Sequence, residues 1–129
     1  MKKVILTLLI SMSVMAVEKV DFQSPKDGAE VKNPIEVKMM VEGMKVIPAG
    51  KDLKDKKSGH HHLLIDTGSI PAGQVIPADE KHLHFGKGQT ETKINLPPGE
   101  HELTLQFADG AHRSYGAKMS HSIKIKVLK

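Results

Sequence analysis

The chain of 129 residues contains no cysteine and no tryptophan, and it has one tyrosine and three phenylalanines. Without cysteine no disulfide can staple the fold, so a hydrophobic core must hold it together. Thiolate metal sites and cysteine chemistry are excluded as well. A single arginine, Arg113, and so few aromatic rings provide neither a guanidinium fork for phosphates nor a stacking platform for bases. A nucleic-acid partner is therefore not expected.

The first residues carry the pattern of an export signal. Lys2 and Lys3 supply positive charge, residues 4–10 are apolar, and a small-x-small cleavage site ends at Ala16. We expect cleavage there, which leaves residues 17–129 as one domain in the periplasm or outside the cell. The apolar stretch is shorter than the roughly 20 residues that span a bilayer, so the mature form should not insert stably into a membrane. A retained N-terminal anchor is the alternative.

From residue 17 onwards apolar and polar residues alternate with the period of a β-strand, and no window keeps a helical stripe. In residues 35–42, for example, Ile35, Val37 and Met39 share one face. Seven or eight strands are predicted, among them residues 17–22, 35–42, 60–66, 81–85, 90–96, 101–107 and 122–127. Residues 43–58 should be the least regular part, with a solvated charged run. This pattern predicts an all-β, immunoglobulin-like antiparallel sandwich.

Histidine is the residue type that stands out, because seven of the eight histidines fall in four places. Three are consecutive, His60 to His62, and run directly into an apolar strand. His82 and His84 form a second His-x-His pattern. On a strand, residues i and i+2 share a face about 6.6 Å apart, so two imidazoles can converge on one ion. His60 with His62, and His82 with His84, are therefore predicted chelating pairs, while the middle residue of the triplet points the other way.

Two further places complete the predicted metal site. His112 follows an Asp-Gly turn, and His121 lies two residues after Met119. Neutral imidazole suits copper, zinc and nickel, and thioether sulfur suits Cu(I). The predicted ligands of copper, or less tightly zinc, are drawn from His60, His62, His82, His84, His112, His121 and Met119. Since metal binds neutral imidazole, whose free pKa is about 6.5, binding should weaken below about pH 6.

Several other polar residues have more than one interpretation. Asp66 and Asp109 could orient a ligating imidazole, although Asp109 before glycine is also ordinary turn chemistry. Arg113 and Tyr115, near His112, could line a small anion pocket. His101 lies between two glutamates directly after a turn and is expected to be simply exposed. No serine lies in a nucleophile elbow, so no catalytic residue is identified.

Nearly all of the mature chain resembles a family of exported bacterial proteins, domain-of-unknown-function family 4399. The resemblance implies an exported immunoglobulin-like domain and assigns no activity. It is carried by the motifs Ser24-Pro25 with Gly28, Val41-Glu42-Gly43-Met44, Pro48-Ala49-Gly50, Gly59-His60-His61-His62-Leu63-Leu64-Ile65-Asp66, His84-Phe85-Gly86-Lys87-Gly88-Gln89-Thr90-Glu91 and Leu96-Pro97-Pro98-Gly99.

Three functions remain open from the sequence. The first is a metal-binding or metal-handling protein without turnover. The second is a non-catalytic module with structural histidines that binds an envelope protein or ligand through a surface around Arg113 and Tyr115. The third and least favoured is a copper redox enzyme resembling superoxide dismutase, whose disulfide and long loops this chain lacks. A binding role is thus favoured over an enzyme.

Overall fold

The computed structural model describes residues 1–11 and 17–129, and within them nine strands and one short 3-10 helix, Ala117–Met119, are formed. The all-β prediction is confirmed. The two strands beyond the seven predicted ones contain only two residues each, too few to leave an alternating pattern. The strands are β1 Lys19–Ser24, β2 Glu30–Val31, β3 Ile35–Glu42, β4 Lys45–Val46, β5 Ser58–Ile65, β6 His82–His84, β7 Glu91–Ile94, β8 Gly99–Ala108 and β9 Ser120–Val127.

Two sheets form a sandwich-like arrangement. The smaller has the order β1-β3-β7, and the larger has the order β2-β9-β8-β5-β4, with β6 also pairing with β5. Most pairs are antiparallel, as predicted, but β2 with β9 and β4 with β5 are parallel. Between the sheets lies the main core, which includes Phe22, Val37, Leu63, Leu105 and Phe107.

The alternation predicted for residues 35–42 is visible in β3. Ile35, Val37 and Met39 are buried, and Glu36 is exposed. The strand has the predicted bounds because its register with β1 and β7 places every second side chain in the core.

In contrast, β5 is buried along its whole length, because both of its faces are covered. Leu63 and Ile65 face the main core, whereas Leu64 lies on the other face in a small cluster with Ile76 and Ala108. Residues 70–76 cross that outer face, where the Ile76 backbone N–H donates to the His112 carbonyl at 2.9 Å. This extra layer keeps water away from polar side chains on the outer face of β5.

The N-terminal residues 1–11 have no regular secondary structure and are exposed. The cleavage site predicted to end at Ala16 lies outside the described residues. Among the residues that the structure does describe, no helix is long and apolar enough to cross a membrane.

Candidate metal centre

Strand β5 places His60 and His62 on its outer face, away from the main core. This placement follows from the alternation of side chains along a strand. Leu63 and Ile65 face the main core, so His60 and His62, at even-numbered positions, face the other way. Both rings are buried, with exposed fractions of 0 and 1%. The Nδ1 atoms of both rings are buried and have no hydrogen-bond partner. Buried polar atoms of this kind are costly and uncommon in folded proteins.

His84 joins the two rings through the pairing of β6 with β5. The antiparallel register sets His84 directly opposite His62, on the same face of the sheet. The centroid of the His84 ring lies 4.9 Å from that of His60 and 5.2 Å from that of His62. Unlike the two buried rings, His84 is exposed at the sheet edge.

The fourth imidazole, His112, comes from the loop between β8 and the 3-10 helix. The Asp109 carboxylate accepts hydrogen bonds from the backbone N–H groups of Ala111 and Arg113, both at 2.9 Å. Asp109 therefore shapes the loop backbone instead of touching an imidazole, which is the turn chemistry that its sequence context suggested. The loop holds His112 at a φ of 64°, a left-handed conformation that is uncommon outside glycine.

Together His60, His62, His84 and His112 offer one nitrogen each, and these nitrogens all lie within 4.8 Å of one another. A four-coordinate ion with bonds of about 2.0–2.1 Å requires donor separations of about 3.3 Å, so modest ring movements would close the site. His60 Nε2 and His112 Nδ1 already lie 3.1 Å apart and share a hydrogen bond. One of these two nitrogens therefore carries a proton that a metal ion would displace. The cluster is suited to holding a metal ion.

The surroundings keep the imidazoles of His60, His62 and His84 neutral. Burial, reinforced by the neighbouring His84 and His112 rings, lowers the pKa of His60 from 6.5 to about 4. Burial and the adjacent imidazoles lower the pKa of His62 to about 2. Burial, then the His112 ring, also lowers the pKa of His84. Because metal binds the neutral ring, protons compete for these three ligands at a lower pH than the value near 6 expected from free histidine.

His61 points to the opposite face, as predicted, and lies in the main core. Its ring packs edge-on against Phe107 with centroids 5.1 Å apart, and neither ring nitrogen has a hydrogen-bond partner. Burial lowers its pKa to about 4. His61 is therefore a neutral core residue and does not belong to the cluster.

Three of the residues predicted as ligands lie elsewhere. His82 is on the same side of the sheet as His84, but it pairs with Leu64, two residues further along β5 than His62. Its Nδ1 lies 2.7 Å from the Asp79 carboxylate. Met119 is fully buried in the main core. His121 lies opposite Leu105, on the core-facing side of β9, with its Nε2 3.5 Å from Asp21. The pairing of Met119 with His121 therefore faces away from the cluster.

The remaining candidates lie outside the cluster. His101 is not simply exposed as expected, because its Nδ1 lies 2.8 Å from the Asp66 carboxylate and its Nε2 2.8 Å from the Pro97 carbonyl. Asp66 thus orients His101 and no ligating ring. The Tyr115 hydroxyl donates to the Ser58 carbonyl at 2.6 Å, which leaves Arg113 as the exposed member of the expected anion pocket.

Comparisons with known proteins assign a family but no activity. A family model described as Domain of unknown function (DUF4399) matches residues 37–128, a span that contains all four clustered histidines. No curated protein and no solved structure matches the chain.

Proposed function

Since the chain belongs to the DUF4399 family, whose description assigns no function, we propose that it is an exported protein that binds a transition-metal ion, Cu(II) or less tightly Zn(II). The ligands are His60, His62, His84 and His112. The observation that carries the proposal is the convergence of four imidazoles from three separate segments, with their donor nitrogens within 4.8 Å.

The donor set favours these two metals. Four neutral imidazoles, without carboxylate or sulfur, suit Cu(II) and Zn(II), and the general order of affinities places Cu(II) above Zn(II). The burial of Met119 in the core removes the sulfur ligand that would have favoured Cu(I). Two ligands are buried and two lie nearer the surface, so an ion can enter and leave from the side of His84 and His112. This arrangement fits binding or handling of an ion without turnover.

Isothermal titration calorimetry at pH 7.5 on residues 17–129 tests metal binding. We expect one Cu(II) per chain with a Kd below about 10 μM, and weaker binding of Zn(II). If neither ion binds more tightly than that, the histidines are structural and an envelope-binding module becomes the leading function.

Export is the second part of the proposal, and it is supported by the charged, apolar and small-x-small pattern of residues 1–16. We expect the mature protein to begin at Val17 and to be recovered from the periplasmic fraction. Intact-mass measurement on cell fractions checks this expectation. A membrane-bound species that retains the first 16 residues would contradict it.

A further inference from the structure

One short segment, residues 47–51, makes backbone contacts with three of the strands and loops that carry the clustered histidines. We call this segment the clasp. The clasp lies within the stretch that the sequence pattern marked as least regular, directly after β4 pairs with the start of β5. It contributes no histidine, and its contacts are made by backbone amides.

Three amides of the clasp donate to the carbonyl oxygens of three glycines. Ile47 N–H donates to Gly59 at 2.8 Å, Ala49 N–H to Gly86 at 2.8 Å, and Gly50 N–H to Gly110 at 2.9 Å. Each acceptor glycine is close in sequence to a clustered histidine. Gly59 immediately precedes His60, Gly86 follows His84 by two residues, and Gly110 precedes His112 by two residues.

All three acceptor positions are also too crowded for a larger residue. A Cβ at Gly59 would overlap the Ala108 carbonyl, and a Cβ at Gly110 would overlap the Lys51 carbonyl. A Cβ at Gly86 would overlap the His84 ring itself and lie 3.2 Å from the Ala49 Cβ. None of the three glycines has a positive φ, so close approach, and not backbone conformation, explains why glycine is required there.

We propose that the clasp sets the relative positions of His60, His84 and His112, and that Gly86 and Gly110 act as positioning residues of the metal site. This inference rests on the proposed function. The physical reason is that His84 lies at a sheet edge and His112 in a loop, and the clasp donates a backbone hydrogen bond to each of these two segments. A shared backbone partner holds both segments at one distance, so the rings meet with centroids 4.5 Å apart.

The test compares Gly110→Ala, whose new Cβ meets the clasp at Lys51, with the parent. Gly86→Ala is the reference in which the new Cβ displaces the His84 ring directly, and both variants keep every histidine. Gly99→Ala is the matched control, because a Cβ there touches nothing while the positive φ of 123° still strains the backbone. We expect Zn(II) affinity to fall about 10- to 100-fold in the two clasp variants, as for partners that support metal ligands elsewhere. The control should stay within about twofold of the parent, since it leaves the site's supporting contacts intact. A Gly110→Ala affinity that matches the control would overturn the inference while leaving the proposed function intact.

A second readout needs no metal. Imidazole nitrogen resonances of the metal-free protein, recorded by NMR, should move for His84 in Gly86→Ala and for His112 in Gly110→Ala. The resonances of His101, which is held by Asp66 and Pro97, should not move. Unchanged His84 and His112 resonances in folded variants would contradict the proposed positioning role of the clasp, even if the parent bound no metal. Binding by the parent separately decides the proposed function.

Discussion

Replacing His60 and His62 together by alanine should lower the affinity for Cu(II) and Zn(II) by at least about 100-fold. Apparent binding free energies of about 10–16 kcal/mol for four-ligand zinc sites imply several kcal/mol for each pair of ligands. His60 and His62 are also the two buried ligands of the cluster. The double variant keeps only His84 and His112, a two-nitrogen site near solvent. Calorimetry at pH 7.5, with circular dichroism to verify the β fold, measures the effect.

The matched control is the double variant His82→Ala with His121→Ala, which removes the same number of imidazoles. Both rings are paired with carboxylates, those of Asp79 and Asp21, and lie outside the cluster. Its affinity should remain within about twofold of the parent, because no ligand is lost. Equal losses in the two double variants would mean that metal binds through scattered surface histidines.

The metal-free domain should lose stability steeply as the pH falls from about 6.5 towards 4. His60, His61 and His62 are buried, and burial is the main cause that lowers the pKa of each, to about 4, 4 and 2. In the unfolded chain these groups return to about 6.5. Between those values the unfolded state binds more protons, so each group removes up to about 1.4 kcal/mol of unfolding free energy per pH unit. Above pH 6.5 their contribution is constant.

Urea unfolding between pH 4.5 and 8, with a chelator present, measures this slope. His61→Leu should reduce the slope by the contribution of one group, up to about 1.4 kcal/mol per pH unit, because leucine binds no proton and fills the same core position. His101→Ala should leave this acid slope unchanged and alter the pH dependence of stability only above about pH 6.5. The hydrogen bond that His101 donates to the Asp66 carboxylate raises the pKa of His101. The stabilisation from this bond is present below pH 6.5 and is lost as the pH rises through the raised value. A parent stability that stays flat down to pH 4.5 would contradict the burial of the triplet.

Local alternation explains what could be predicted from the sequence. It predicted the bounds of β3, and it placed His60 and His62 on one face with His61 on the other. It also paired His82 with His84 on one face, which is correct, but only the strand register decides that His84 faces His62 while His82 faces Leu64. Register depends on contacts between distant segments and leaves no trace in a single strand.

The loops could not be predicted for a related reason. His112 reaches the cluster because Asp109 folds its loop and because β8 pairs with β5, and the second of these is a long-range contact. The clasp acts through backbone N–H groups, which every residue except proline possesses. Its side chains therefore carry no sequence pattern that would identify it, apart from the Pro48-Ala49-Gly50 motif. A glycine within two residues of each of three clustered histidines was the available signal, and it becomes meaningful only once the close approaches are known.

The most direct measurement of the central claim is a Zn(II) titration followed by NMR of the imidazole nitrogens in the domain of residues 17–129. The account predicts that resonances of His60, His62, His84 and His112 change together and stop changing at one equivalent of zinc. Those of His82, His101 and His121 should stay in place. Zinc-dependent changes at His82 or His121 in place of His112, or no change at any histidine, would contradict it.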